Sequence, residues 1–176
     1  MLTETDLLNY RGLIQESRVF KTFSKATAQV SIFLSHSHKD KELVEGFINY
    51  LAYSSEIIIY VDWQDSDMPS TTNRETALRI KEKIDQMDYF LILATRNAME
   101  SKWVPWEIGI ADKTKSIERI AVVPIIDRSG QYHGNEYMQL YQSVQPGIHE
   151  LTGRKALSVF EVNQDTGVVI NSWFTK

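Results

Sequence analysis

Short apolar runs alternate along this chain with stretches of helical periodicity, and that alternation narrows its fold more than any other feature. Residues 30–34, 57–61, 89–94 and 120–126 are rich in Ile, Val, Leu, Phe and Tyr and lack regular polar gaps, the pattern of strands buried on both faces. Helical patterns fill the intervals at 39–51, 74–87 and 101–113; in the second, Ala77, Ile80 and Ile84 fall on one side. Such spacing specifies a parallel α/β sheet, and right-handed crossovers place helices on both of its faces. Beyond Asp127 the pattern weakens. Gly130, Gly134 and Gly147 punctuate a loop around a helical stretch at 136–144, and 156–162 reads as a fifth strand that turns back through 163–167 into a hairpin partner at 168–173. Ahead of the main unit, Leu7, Tyr10 and Ile14 recur at helical spacing within 3–17, with Thr3 or Thr5 as the cap and 21–28 as a polar link. The expected division is an N-terminal helix and linker at 1–28, the main domain at 29–162, and a hairpin extension at 163–176.

Composition removes several function classes. At 176 residues and 43% hydrophobic, the chain is long enough to bury one domain's core. It has no cysteine, which excludes a disulfide scaffold, a thiolate metal site and a thiol nucleophile, and it fits a cytoplasmic setting. The net charge of −4 comes from interspersed signs with no basic run, so nucleic acid is not an expected partner. The apolar runs at 57–61 and 120–126 fall far short of the roughly 20 residues that span a bilayer, and no membrane association is expected. Residues 1–17 carry charges throughout and do not read as a secretory signal. Neither Gly-x-Gly-x-x-Gly nor a Gly-rich loop ending in Lys-Ser or Lys-Thr is present, so any nucleotide is held by other means.

In open parallel sheets, ligands bind beyond the carboxyl ends of the strands. That rule selects Ser35-His36, Asp62-Trp63, Thr95-Arg96 and Asp127. His36 and His38 have a spacing that two metal ligands can share, but the nearby sequence offers no third donor and no metal is expected. Ser35 and His36, as strand neighbours, point to opposite faces and make a poor nucleophile–base pair. The remaining signal is Trp103-Val104-Pro105-Trp106-Glu107. Proline is tolerated only in a first helical turn, so the helix begins near 101–104 and Glu107 sits about one turn inside it. The i, i+4 spacing then stacks Trp103 and Glu107 on one face. A Trp-x-x-x-Glu of this kind equally suits two core anchors and a carboxylate at a helix N-terminus.

Four segments in register resemble TIR domains, bacterial ones especially. Ile32-Phe33-Leu34-Ser35-His36-Ser37-His38-Lys39-Asp40 resembles the family's opening strand and loop, and Ile59-Tyr60-Val61-Asp62-Trp63 its second strand entering the BB loop. Residues 88–95 resemble the third strand, and Ser101-Lys102-Trp103-Val104-Pro105-Trp106-Glu107-Ile108-Gly109 the helical segment with the family's Trp-x-x-x-Glu. The resemblance implies a flavodoxin-like, five-stranded parallel sheet. It also implies hydrolysis or cyclisation of NAD, in bacterial defence or stress signalling, with NAD as substrate and no cofactor. Glu107 takes the catalytic place, Trp103 a wall of the ribose site, and Ser35, His36, Asp62 and Trp63 substrate-binding places. TIR–TIR self-association is a further implication. Residues 63–69 lack the Arg-Asp and Pro-Gly pattern of animal receptor and adaptor TIR domains, so adaptor contacts do not carry over. Two other readings stand beside this one: a non-catalytic interaction module, and an N-glycosidic enzyme of the nucleoside deoxyribosyltransferase kind.

Overall fold

The alternation of apolar runs and helical stretches is realised in a computed structural model that describes residues 1–11, 30–52, 57–65, 73–150 and 152–175. In chain order the elements are β1 (Leu2–Thr3), α1 (Glu4–Asn9), β2 (Val30–Ser35), α2 (Lys41–Ala52), β3 (Ile57–Tyr60), α3 (Arg74–Gln86), β4 (Tyr89–Ala94), α4 (Arg96–Met99), α5 (Val104–Thr114), β5 (Ile120–Ile126), β6 (Gln142–Ile148), β7 (Lys155–Phe160), β8 (Gly167–Val169) and α6 (Ile170–Trp173). The sheet runs β3-β2-β4-β5-β6-β7-β8, parallel through β6 and antiparallel in its last two pairings, while the two-residue β1 pairs with the end of β5. Five parallel strands in this order make a flavodoxin-like sheet with its switch point beside β2.

Two-sided burial explains the uninterrupted apolar runs. In β4, Tyr89, Leu91 and Leu93 join the layer formed with α1, α2 and α6, whereas Phe90, Ile92 and Ala94 join the layer formed with α3, α4 and α5. Every residue of β4 is buried, so neither face leaves room for polar alternation. Among the described residues no helix is long and apolar enough to cross a membrane.

Three elements differ from the sequence reading. The helix expected at 136–144 is a single 3₁₀ turn, Glu136–Leu140, followed by β6, and β6 is the fifth parallel strand. The run expected at 156–162 as that fifth strand is β7, which pairs antiparallel with β6. The hairpin partner expected at 168–173 is a strand only through Val169; the chain then turns into α6, which lays Trp173 against Tyr89 with ring centroids 4.6 Å apart. Burial of that indole outweighs continued pairing. Pro146 lies in the part of β6 that β5 does not reach, since β5 pairs only with Gln142 and Ser143, and a missing N–H is tolerated on such an edge.

The N-terminal segment docks on α2. Thr3 and Asp6 form a reciprocal capping box, with Asp6 N–H donating to Thr3 Oγ1 at 3.0 Å and Thr3 N–H donating to Asp6 Oδ2 at 2.9 Å. Leu7 is fully buried in the core and Tyr10 packs on Tyr50, while Ile14 and the polar link lie outside the described residues. Contact this close depends on Gly46: a Cβ there would collide with the carbonyl of Leu7. Gly46→Ala should therefore lower stability by about 1–3 kcal/mol through overpacking, even though alanine favours a helix. A melting curve checks this; an unchanged or raised melting temperature would mean that α1 is not held at this point.

Candidate active site

Three loops leave the carboxyl ends of β2, β3 and β4 around the switch point, and one buried carboxylate ties two of them together. Asp40, in the 3₁₀ turn after β2, accepts from Thr95 Oγ1 at 2.5 Å and from Asn97 Nδ2 at 2.6 Å. Thr95 in turn accepts from the backbone N–H of Ala98 at 3.0 Å and so caps α4. These contacts join segments more than fifty residues apart in sequence, which no local pattern reveals.

Glu107 enters this space from α5. Ser101 Oγ accepts from the N–H groups of Trp103 and Val104, Pro105 occupies the first turn, and the Trp103 carbonyl accepts from the N–H of Glu107 at 2.9 Å. Trp103 and Glu107 thus lie one turn apart on one face. The side chain of Glu107 is only 5% exposed, and Ser35 Oγ donates to its Oε2 at 2.5 Å. Burial pushes its carboxyl up to about 7; the Ser35 hydrogen bond opposes that shift, nearby Asp62 adds to it and His38 works against it.

The opposite side of the space carries two imidazoles and a carboxylate. His38 Nε2 lies 2.6 Å from Asp62 Oδ2, a contact that raises the pKa of His38. For Asp62, burial works toward the neutral acid, but the His38 hydrogen bond, both imidazoles and the Trp63 N–H hold the carboxyl below its ordinary value. His36 is buried, and burial lowers its pKa in spite of Asp62. Its Nδ1–H donates to the Leu34 carbonyl at 2.7 Å. Asp62 therefore supplies, from 24 residues downstream of His38, the third donor that the neighbouring sequence does not offer.

His36, Asp62, Trp103 and Glu107 line one cavity of about 260 Å³, together with His38, Asn97 and Ser101 among others. Ser35 stands behind Glu107 rather than on the wall. Trp63 sits behind His36, edge-on at 4.4 Å, and packs toward the core. Asp127 is engaged elsewhere, with Ser129, Gln131 and His133. A larger open groove of about 830 Å³ runs along β6 and β7 and contains none of the expected site residues. Most of the segment that follows the second strand, residues 66–72, lies outside the described residues.

The chain matches the TIR domain family over residues 32–151, from β2 through the turn beyond β6. It belongs to that family. This TIR domain is 32% identical over 170 residues to a protein of Bacillus cereus (strain MSX-D12) named "Probable 3' cyclic ADP-D-ribose synthase ThsB'", with 84% of each chain covered. Over 80 residues it is 34% identical to a Cytobacillus dafuensis protein named "Putative cyclic ADP-D-ribose synthase TIR2", a match to 44% of this chain and 21% of that one.

A carboxyl that titrates near 7 in the folded TIR domain and near 4.5 in the unfolded chain makes folding depend on pH. The folded state keeps the proton across that window while the unfolded state loses it, so stability is fully present below about 4.5 and declines as pH rises through about 7. The loss is on the order of 3 kcal/mol. Glu107→Gln removes the titration, so its melting temperature relative to wild type should climb by several degrees between pH 5 and pH 8. A difference that stays constant across that range would contradict the buried, neutral carboxyl.

Proposed function

We propose that this TIR domain breaks the nicotinamide–ribose bond of NAD and that the Glu107 carboxylate stabilises the cationic sugar formed as the bond breaks. One observation carries this reading: a buried carboxylate, fixed through one oxygen by Ser35, shares a cavity with Trp103 beyond the carboxyl ends of the parallel strands. The likeness to two proteins named as cyclic ADP-D-ribose synthases supports it independently of the geometry.

The chemistry needs little from the protein beyond charge and position. Nicotinamide departs with both electrons of the C1′–N bond, and its cationic ring becomes neutral, so no acid is required. Positive charge passes to C1′ and the ribose ring oxygen, where a nearby carboxylate lowers the barrier electrostatically. Ser35 engages Oε2 of Glu107, which leaves Oε1 to accept from the ribose hydroxyls. The positive charge of the substrate favours the ionised form that burial opposes. Trp103 walls the sugar, and His36 and Asp62 meet the remainder of the dinucleotide. Oxygen from water at C1′ gives ADP-ribose and a proton; attack by another nucleophilic atom of the same molecule gives a cyclic product and a proton. The names of the relatives favour the cyclic branch. Consumption of NAD suits a role in defence or stress signalling.

A cavity of about 260 Å³ lies below the size usual for small-ligand sites and admits one end of NAD rather than the whole. A second copy completing the site through TIR–TIR contacts accounts for this. Purified chain incubated with NAD over a wide range of protein concentration, with products read by mass spectrometry, should release nicotinamide together with a cyclic ADP-ribose isomer, at a specific activity that rises with concentration. Unchanged NAD at every concentration would overturn the activity. ADP-ribose as the sole product would overturn cyclisation, and a constant specific activity would overturn assembly.

A further inference from the structure

The imidazole of His36 leaves a polar atom without a hydrogen-bonding partner. A carbonyl oxygen can only accept, so the bond to Leu34 fixes the proton on Nδ1 and leaves the Nε2 lone pair of the neutral ring directed elsewhere. That Nε2 is buried and has no hydrogen-bond partner among the described residues; Asp62 Oδ1 is 3.4 Å away, but a carboxylate oxygen has no proton to offer the lone pair. Buried polar atoms are nearly always satisfied, and an orphan among ligand-type groups marks a place for something bound. His38 Nε2 lies against the same Asp62 carboxylate, and one ligand atom from each of His36, His38 and Asp62 lies within 4.8 Å of the other two.

We propose that His36 Nε2, His38 Nε2 and the Asp62 carboxylate form a site for a divalent transition-metal ion, Zn²⁺ in the first instance, on the wall of the cavity that contains Glu107. Two imidazoles and a carboxylate are a donor set suited to Zn²⁺ and its borderline neighbours, not to Mg²⁺ or Ca²⁺, which take oxygen ligands. The hydrogen bond from His36 Nδ1 to a backbone carbonyl is the outer contact that metal-bound histidines carry, since it fixes both tautomer and ring orientation. Bond lengths of about 2.0–2.1 Å at tetrahedral angles put ligand atoms about 3.3 Å apart. His36 Nε2 and Asp62 Oδ1 already stand at 3.4 Å, whereas His38 Nε2 and Asp62 Oδ2, at 2.6 Å, must part by about 0.7 Å and release the proton they share, with one carboxylate oxygen then serving as the ligand. His38 is largely exposed and has room to move. The three protein ligands leave a fourth position toward the cavity, open to water or to an anionic oxygen of a ligand. The ion would also fasten the loop after β2 to the end of β3, two segments that meet at this site.

The test reads the metal itself and stands apart from NAD cleavage. Untagged full-length chain, stripped with a chelator, is titrated with Zn²⁺ by calorimetry and with Co²⁺ by visible absorption. One equivalent per chain is expected, with the intense absorption of four-coordinate Co²⁺. His38→Ala and Asp62→Asn should each weaken binding by at least about tenfold, the loss that even an outer contact of a metal site carries. His133→Ala, which removes a close His–Asp pair elsewhere in the domain, should leave binding unchanged. His38 is exposed enough that its loss does not endanger the fold, and a melting curve of each variant verifies that it is folded. Absence of binding to wild type would overturn the proposal, as would binding that survives both His38→Ala and Asp62→Asn or fails equally in His133→Ala.

Discussion

The Glu107 carboxylate lies where water scarcely reaches it, and the arrangement around the site exists to hold it there. Burial works against its charge, Ser35 restores part of the lost solvation through one oxygen, and Asp62 across the cavity works against the charge again. A carboxylate in such surroundings detracts from stability at neutral pH. The fold supplies the place. With the order β3-β2-β4, the loops after β2 and β4 diverge at the switch point; Asp40 clamps them together through Thr95 and Asn97, and α5 begins beside them with Pro105 in its first turn. Trp103 and Glu107 then face one space because the helix brings every fourth residue to the same side.

Strands buried on both faces were the most legible part of the sequence. β4 and β5 have the bounds that their apolar runs suggest, because an uninterrupted run has few other homes than the middle of a sheet. β6 was not legible. Of Gln142-Ser143-Val144-Gln145-Pro146-Gly147-Ile148 only Gln142 and Val144 are buried, and its Pro and Gly are the usual marks of a loop. Its strand character comes from β7, which pairs along its length in a register that local sequence does not encode. At the chain end, Trp173 is drawn out of a strand pattern by the rings of Tyr89 and Phe174, a tertiary preference that outweighs local propensity.

The site divides the same way. Glu107 and Trp103 could be placed from the sequence because Pro105 fixes where their helix starts. The strand-end rule pointed to His36 and Asp62, and both reach the cavity. Contacts that cross the sheet were hidden: Ser35 meets Glu107 across 72 residues, and Asp62 joins His36 and His38 only after β3 is laid beside β2. Trp63, selected by the same rule as Asp62, turns its ring behind His36 because the core offers it apolar contact there.

The decisive measurement is the steady-state rate of NAD consumption by Glu107→Gln beside wild type, with both proteins shown to be folded. Glutamine keeps the length and the accepting oxygen of the side chain while losing the charge. If the carboxylate stabilises the cationic sugar, kcat should fall by a factor of several hundred, the equivalent of about 3–4 kcal/mol of transition-state stabilisation. A variant that keeps more than about a tenth of the wild-type rate would contradict the account, since a carboxylate that merely favours a helix N-terminus contributes about 0.3–1 kcal/mol to stability and little to turnover.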